Sequence, residues 1–295
     1  MSTVAVIAHT GKTMGGGLTE LRSTLALEGV TDPLWYEIPK SRKAPKRAKR
    51  ALEEGADLVL VWGGDGTVQR CVDALAGSGV PIAIIPAGTA NLFASNLGIP
   101  KDIAKAVRIG LHGERRPIDV GRINGERFAV MAGAGLDASM IRDADAGLKD
   151  QVGRLAYLVT GARHLKDRSL EVRIQVDGTH WYQGKAACVL FGNVPDILGG
   201  ITAFADARPD DGRLESGIVT ADGLLEWTRT LGRTAVGQVE RSPFVDITSG
   251  TRFVVKLDRK AVWELDGGDR EPAKRLEVEV EPGAITVCVD PRVQG

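Results

Sequence analysis

The chain has 295 residues, 43% hydrophobic and 26% charged, which suits an ordinary globular protein with length for one large or two moderate domains. Lysine plus arginine and aspartate plus glutamate number 38 each, so no global field draws the chain to nucleic acid or to an anionic bilayer, and any such attraction has to be local. Cys71, Cys188 and Cys288 form no CxxC pair, and the four histidines lack metal-ligand spacing, which argues against a disulfide framework or a zinc site and for a reducing cytosol.

The first ~120 residues alternate short apolar runs with helical patterns, as stacked βα units around a parallel sheet do. Residues 3–8 open as a strand, Leu18, Leu21 and Leu25 carry helical spacing, and 34–38 reads as the next strand. A basic helix is expected over 44–54, a buried strand over 58–62, a helix over 68–75 and another strand over 82–85. Each strand runs into a loop rich in glycine or small polar residues, where ligands of open parallel sheets bind. Residues 74–100 contain no charged side chain, but Pro81, Pro86 and Pro100 with four glycines, Asn91 and Asn96 rule out a spanning helix. The apolar segment 4–8 is too short for a signal peptide, so a cytoplasmic protein is expected.

From about Ile118 the texture changes to short alternating segments at 128–131, 170–176, 186–191, 252–257 and 276–280, interrupted by one helical stretch at 155–165. Asp177-Gly, Asp211-Gly, Asp222-Gly and Asp266-Gly supply hairpin turns. The expected division is an α/β domain over 1–118 and an antiparallel β domain over 119–295, with the last strand a candidate to return to the first domain.

Two loops of the first domain can carry chemistry. Gly63, Gly64 and Gly66 let backbone amides approach a phosphate, with the backbone running on through Thr67, Val68 and Gln69. Asp65 would repel that phosphate unless a magnesium ion or a ribose hydroxyl intervened; the alternative is a tight strand-to-helix turn in which Asp65 caps a helix. One βα unit later, Pro86-Ala-Gly-Thr-Ala-Asn91 places Gly88, Thr89 and Asn91 at the same crevice, where they either donate to a nucleotide or cap the helix that follows.

GGDGT at 63–67 followed by PAGTANLFA at 86–94 resembles the diacylglycerol kinase catalytic family, which includes bacterial lipid kinases and sphingosine and ceramide kinases. Gly133-Ala-Gly-Leu-Asp-Ala138, Gly153-Arg-Leu-Ala-Tyr157, Gly192-Asn193, Gly199-Gly200, Pro209-Asp-Asp-Gly-Arg-Leu214 and Glu264-Leu-Asp-Gly267 follow in the family's order. The resemblance implies a nucleotide-binding α/β domain, a C-terminal β-sandwich, and ATP and lipid meeting in the cleft between them. It implies that 63–69 and Thr89 bind ATP, that Asp65 works with the nucleotide's Mg2+, and that Asp211, with backbone carbonyls near Arg208 and Arg213, holds a second, structural Mg2+. The implied reaction phosphorylates diacylglycerol or a related lipid at a membrane surface. An enzyme like NAD kinase, which shares GGDGT, and a catalytically silent nucleotide or lipid binder are the alternatives.

The sequence departs from the family in three places. The first loop is Ala8-His-Thr-Gly-Lys-Thr-Met-Gly-Gly-Gly17, in which Thr10, Gly11, Lys12 and Thr13 could hold phosphate oxygens, although it is no Walker A motif. The family threonine before the second helix aligns near Lys40. Gly268 stands where the family carries a glutamate as catalytic base, leaving Asp266, favoured for its retained place in the motif, or Asp269 to take the hydroxyl proton. Finally, seven of the eleven residues from Lys40 to Arg50 are basic, either a solvated helix face or a site of peripheral attachment to lipid headgroups. No aromatic residues interleave with them, so nucleic acid is not an expected partner. A second copy of the chain, as a homodimer, is a further candidate partner.

Overall fold

The computed structural model describes residues 3–135, 169–198, 201–221 and 242–292. It divides into two units, Met1–Val120 with Pro282–Gly295 and Gly121–Glu281.

The first unit runs β1 (Val4–His9), α1 (Gly17–Leu27), β2 (Leu34–Ile38), a 3-10 turn (Ser41–Lys43), α2 (Ala44–Glu53), β3 (Leu58–Gly63), α3 (Asp65–Leu75), β4 (Ile82–Pro86), α4 (Leu92–Asn96) and α5 (Ile103–His112). Its strands are parallel in the order β4-β3-β1-β2. Every residue of β3 and β4 is buried, as strands covered on both faces must be; α2 packs with α3, and α1 with α5. Helix α3 begins at Asp65, three residues before the expected start, so half of the glycine-rich segment is helical rather than loop. Asp65 lies in the first turn, where an acid complements the helix dipole. Helix α5, which hydrophobic spacing had not singled out, is capped by Asp102, whose side chain accepts from the Lys105 amide at 2.8 Å. The uncharged stretch 74–100 becomes the end of α3, then β4 and α4, and among the described residues no helix is long and apolar enough to cross a membrane.

Strand β5 (Glu114–Ile123) leads into the second unit, which contains β6 (Glu126–Phe128), β7 (Met131–Ala134), β8 (Leu170–Val176), β9 (Thr179–Ala186), β10 (Cys188–Gly192), β11 (Asp196–Leu198), β12 (Ile201–Thr202), β13 (Leu214–Val219), β14 (Val245–Gly250), β15 (Arg252–Leu265) and most of β16 (Gly268–Val289). Its pairings are antiparallel: β14-β13-β10-β7 continues onto the end of β15, while the start of β15 pairs with β8 and β8 with β9. Phe128, Phe191, Phe253, Trp263 and Leu276 lie in its core, with the rings of Phe191 and Phe253 5.2 Å apart at 59°. The end of β16, from Pro282, belongs to the first unit, where Val287 sits opposite Ile82 in parallel register.

Three hairpins close on two-residue loops with both residues at positive φ: Asn124-Gly125 (47°, 92°), Asp177-Gly178 (49°, 82°) and Asp266-Gly267 (43°, 78°), the turn geometry that matches strand twist. Asp211-Gly212 also turns, with Gly212 at φ 75°. The Asp222-Gly turn, the helical stretch 155–165, Gly153–Tyr157 and Gly199-Gly200 lie outside the described residues. The strand expected over 128–131 is broken, because the amides of Ala129, Val130 and Met131 turn to the Asp266 carboxylate instead of a neighbouring strand.

All three cysteines are buried and free. Burial pushes the Cys71 and Cys188 thiols up to about 12 and the Cys288 thiol up to about 11, so at neutral pH each is a protonated, unreactive thiol. A thiol reagent at pH 8 is therefore expected to titrate none of them in the native chain and all three after denaturation; fast native labelling would contradict the burial.

Candidate active site

The carboxyl ends of β1 to β4 bring four loops together in the first unit. Gly64 caps α3 in extended conformation, and its carbonyl accepts the amides of Thr67 at 2.8 Å and Val68 at 3.1 Å. Those two amides are committed to the helix, and the Val68 and Gln69 side chains are buried. Gly66 is different: a Cβ there would meet nothing within 4 Å. The start of α3, with its helix-leading amides and partial positive charge, thus opens to one side.

The second loop lies directly against this helix start. A Cβ built on Gly88 would fall 2.4 Å from the Gly64 Cα, and one on Gly64 would fall 3.1 Å from the Gly88 Cα and 3.9 Å from Lys12 Cε. Only glycine permits that approach. Asn91, at φ 51°, clasps Gly88 from its own loop, accepting from the Gly88 amide at 2.8 Å and donating to the Gly88 carbonyl at 2.9 Å. Lys101 Nζ donates to the same carbonyl at 2.9 Å. Asn91 is therefore spent on the loop's own backbone, whereas Thr89 is exposed.

Asp65 joins the two loops. Its carboxylate accepts from the Phe93 amide at 3.3 Å and also from the amides of Leu92 and Asn91. Burial pushes its carboxyl above the usual range, opposed by those amides. The cap foreseen for Asp65 is thus real, but the helix it caps is α4, one βα unit away in the chain.

The first and second βα loops complete the cluster. Thr10 donates its amide to the Ile38 carbonyl at 3.0 Å, and Trp62 Nε1 donates to the Lys12 carbonyl at 3.2 Å. His9 is held below its ordinary value by burial and then by the Lys12 charge. Lys40 is exposed, and the group that reaches the GGDGT turn is its neighbour: the hydroxyls of Ser41 and Thr67 are 2.8 Å apart.

In the second unit, Asp266 Oδ1 accepts from the amides of Val130 at 3.0 Å and Met131 at 2.9 Å, and Oδ2 from Ala129 at 2.8 Å. Asp269 is exposed and stands opposite Glu264 in the β15–β16 register. A Cβ on Gly268 would meet only the far end of Arg270, at 2.9 Å, and the Leu265 carbonyl at 3.6 Å, so the backbone does not demand glycine there. Asp211 accepts from the Arg213 amide at 2.9 Å in an exposed turn, and the Arg213 guanidinium donates to the hydroxyl and carbonyl of Ser249 at 2.7 and 2.8 Å. Arg208 is also exposed. Asp211 and Asp206 add to burial in raising the Glu215 carboxyl.

Comparison with known proteins places the chain in a family. The model of the diacylglycerol kinase catalytic domain matches residues 4–123, and that of the YegS C-terminal NAD kinase beta sandwich-like domain matches residues 130–289. A diacylglycerol kinase of Bacillus subtilis is 34% identical over 229 residues, covering 76% of this chain and 75% of its own. This chain belongs to the diacylglycerol kinase family. A solved diacylglycerol kinase structure from Bacillus anthracis superposes with a TM-score of 0.80 at 24% identity, over 99% of this chain and 98% of that one. An NAD kinase from Archaeoglobus fulgidus shares only the fold, at TM-score 0.53 and 10% identity over 99% of this chain and 95% of its own.

ATP, which kinase-family membership implies, fits what the first unit offers. Gly66 is exposed with open space where a Cβ would stand, Lys12 Cε lies 3.9 Å from a Cβ built on Gly64, and the Ser41 and Thr67 hydroxyls meet at 2.8 Å. Among the described residues no group of three or more His, Cys, Asp or Glu side chains is arranged to hold a metal. Two positions escaped the sequence reading. Ser41 was hidden behind the alignment of Lys40, though it is the one hydroxyl at the entrance to α2; Lys101 follows the loop by thirteen residues, and nothing local marks its contact with Gly88.

Proposed function

We propose that this member of the diacylglycerol kinase family, an ATP-dependent lipid kinase, transfers the γ-phosphoryl group of ATP to the primary hydroxyl of diacylglycerol or a closely similar lipid at a membrane surface. The observation that carries the reading is the contact of Gly64 with Gly88, which holds a helix N-terminus and a second strand-end loop together beside Lys12. The amides at the start of α3 and the Lys12 ammonium would hold the nucleotide's phosphates, with Thr89 and the Ser41–Thr67 hydroxyl pair beside them. Magnesium bound with the nucleotide would neutralise charge on the transferring group, and Asp65, by tying the start of α4 to the start of α3, would hold the two loops in place around the phosphates.

The lipid oxygen forms a bond to the γ-phosphorus as the bond to the β,γ-bridging oxygen breaks, leaving ADP, and the hydroxyl proton must go to a base. Asp266 has both carboxylate oxygens engaged by backbone amides, whereas the Asp269 side chain is exposed and in no ion pair among the described residues. We therefore assign the proton to Asp269 and the shaping of the hairpin that presents it to Asp266.

Incubating the chain with γ-labelled ATP, magnesium and diacylglycerol-containing vesicles is expected to put label into the lipid. Label appearing in NAD and not in any lipid would replace this reading with the NAD kinase one, and ATP binding without transfer to either would leave a silent binder.

A further inference from the structure

The segment from Lys40 to Arg50 concentrates seven basic residues in a chain of zero formal net charge. Helix α2 turns Ala44, Ala48 and Ala51 into the core, a small-residue stripe that fixes its rotation and leaves Lys46, Lys49 and Arg50 on the outer side. Lys40, Arg42 and Lys43 extend the same run through the 3-10 turn, all exposed.

Only part of this charge is answered within the protein. Arg50 pairs with Glu54 at 2.6 Å, Tyr36 donates to Glu54 at 2.5 Å, and the Arg47 and Arg50 guanidiniums each lie 5.9 Å from the Tyr36 ring. Lys40, Arg42, Lys43, Lys46 and Lys49 form no ion pair among the described residues. Moreover, α2 has no acid in its first turn and no side-chain cap, and Lys43 is itself the N-cap residue. Cations crowd the positive end of the helix, where the dipole disfavours them. Anions supplied from outside would relieve both the dipole and the mutual repulsion.

We propose that the face formed by the 3-10 turn and α2 docks the protein on an anionic phospholipid bilayer. The ten positions from 40 to 49 extend over roughly 15 Å at helical rise, a row that meets several headgroups at once rather than one phosphate. No aromatic side chain stands among them for bases to stack on, since Tyr36 is buried beneath its arginines. The docking face also adjoins the phosphate-facing turn: Ser41, between Lys40 and Arg42, meets the Thr67 hydroxyl at 2.8 Å. Attachment through this face would bring the start of α3 to the surface where a lipid substrate resides; that last step rests on the kinase reading, while the docking itself does not.

The test is co-sedimentation of the full chain, without ATP, with vesicles of phosphatidylcholine alone or containing phosphatidylglycerol, at low and high salt. Each basic residue near an anionic leaflet raises partitioning about five-fold. The triple variant Lys43→Gln, Lys46→Gln, Lys49→Gln should therefore bind anionic vesicles about 100-fold more weakly than wild type. Glutamine keeps helix propensity and relieves the repulsion at the start of α2, so circular dichroism should be unchanged and the melting temperature should hold or rise slightly, with turnover on detergent-dispersed lipid unchanged. Wild type staying in solution with anionic vesicles at low salt, the triple variant sedimenting like wild type, or tighter binding to a single-stranded RNA oligonucleotide than to vesicles would each overturn the proposal. Binding to vesicles with no phosphate transfer to any lipid would sink the kinase reading and leave the docking face standing.

Discussion

Asp269→Ala is expected to lower lipid phosphorylation by about 10²- to 10⁴-fold, the range set by loss of a general base, with no change in melting temperature. Asp266→Ala should act in the opposite order, destabilising the chain before any effect on chemistry can be read. Its carboxylate accepts three backbone amide bonds from consecutive residues, and its own amide donates to the Met131 carbonyl at 2.9 Å. Hydrogen bonds to a charged acceptor contribute about 1.5–3 kcal/mol each, and water can replace only part of that. A loss of about 3–5 kcal/mol follows, a large share of the roughly 5–15 kcal/mol that holds a domain folded. No comparable side-chain contact is seen for Asp269 among the described residues: it is exposed, opposite Glu264 in the β15–β16 register. Thermal melting and a vesicle kinase assay on both alanine variants separate the two roles. Asp266→Asn sharpens the comparison, because its amide oxygen can still accept from Val130 and Met131. If Asp266→Asn melts like wild type yet transfers no phosphate, while Asp269→Ala stays active, the proton belongs to Asp266 and Asp269 is a surface residue.

The Asp266 turn is written locally in the chain, and the contacts of its carboxylate are not. The turn at Asp266-Gly267 was legible, because a two-residue loop with both φ values positive selects Asp-Gly. The destination of the carboxylate was not, since its partners lie about 135 residues earlier in the chain. The same boundary runs through the first unit. Buried parallel strands write themselves as apolar runs, so β1 to β4 and the loops after them could be placed from residue types alone. GGDGT and PAGTAN were legible as ligand-facing loops because each follows such a strand. The chain does not write down which side chains serve the loops themselves. Asp65 reads as an ion's partner or a helix cap, and its carboxylate accepts the amides at the start of α4; Asn91 reads as a donor to ligand or a cap, and its side chain closes on Gly88. Lys40 held the aligned position, but the backbone of the 3-10 turn delivers Ser41. The contacts of Asp65 and Ser41 are made across the tertiary fold, which local spacing does not record.

Gly88→Ala is expected to lower kinase activity by at least about 100-fold, the cost of misplacing reacting groups by roughly 1 Å, and to weaken ATP binding with it. The added methyl would have to sit 2.4 Å from the Gly64 Cα and 2.7 Å from Asn91 Oδ1. Neither neighbour is the free end of a flexible chain. Gly64 is backbone at the cap of α3, and Asn91 is held by both its hydrogen bonds to Gly88. The two loops must therefore part, and overpacking of this kind costs about 1–3 kcal/mol of stability, so the protein should remain folded with a modestly lower melting temperature. Gly66→Ala is the informative counterpart. A methyl there meets nothing within 4 Å, and alanine is the better helix former, so stability should hold or rise. If phosphates occupy that open side, the methyl intrudes on them and ATP affinity falls without any thermal penalty. Calorimetric titration with ATP, run beside thermal melts of both variants, reads the two effects separately. Wild-type ATP affinity in Gly88→Ala would mean that the contact between the loops does not shape the nucleotide site. Wild-type affinity in Gly66→Ala alone would move the phosphates off the open side of α3 and toward Lys12 and Thr89.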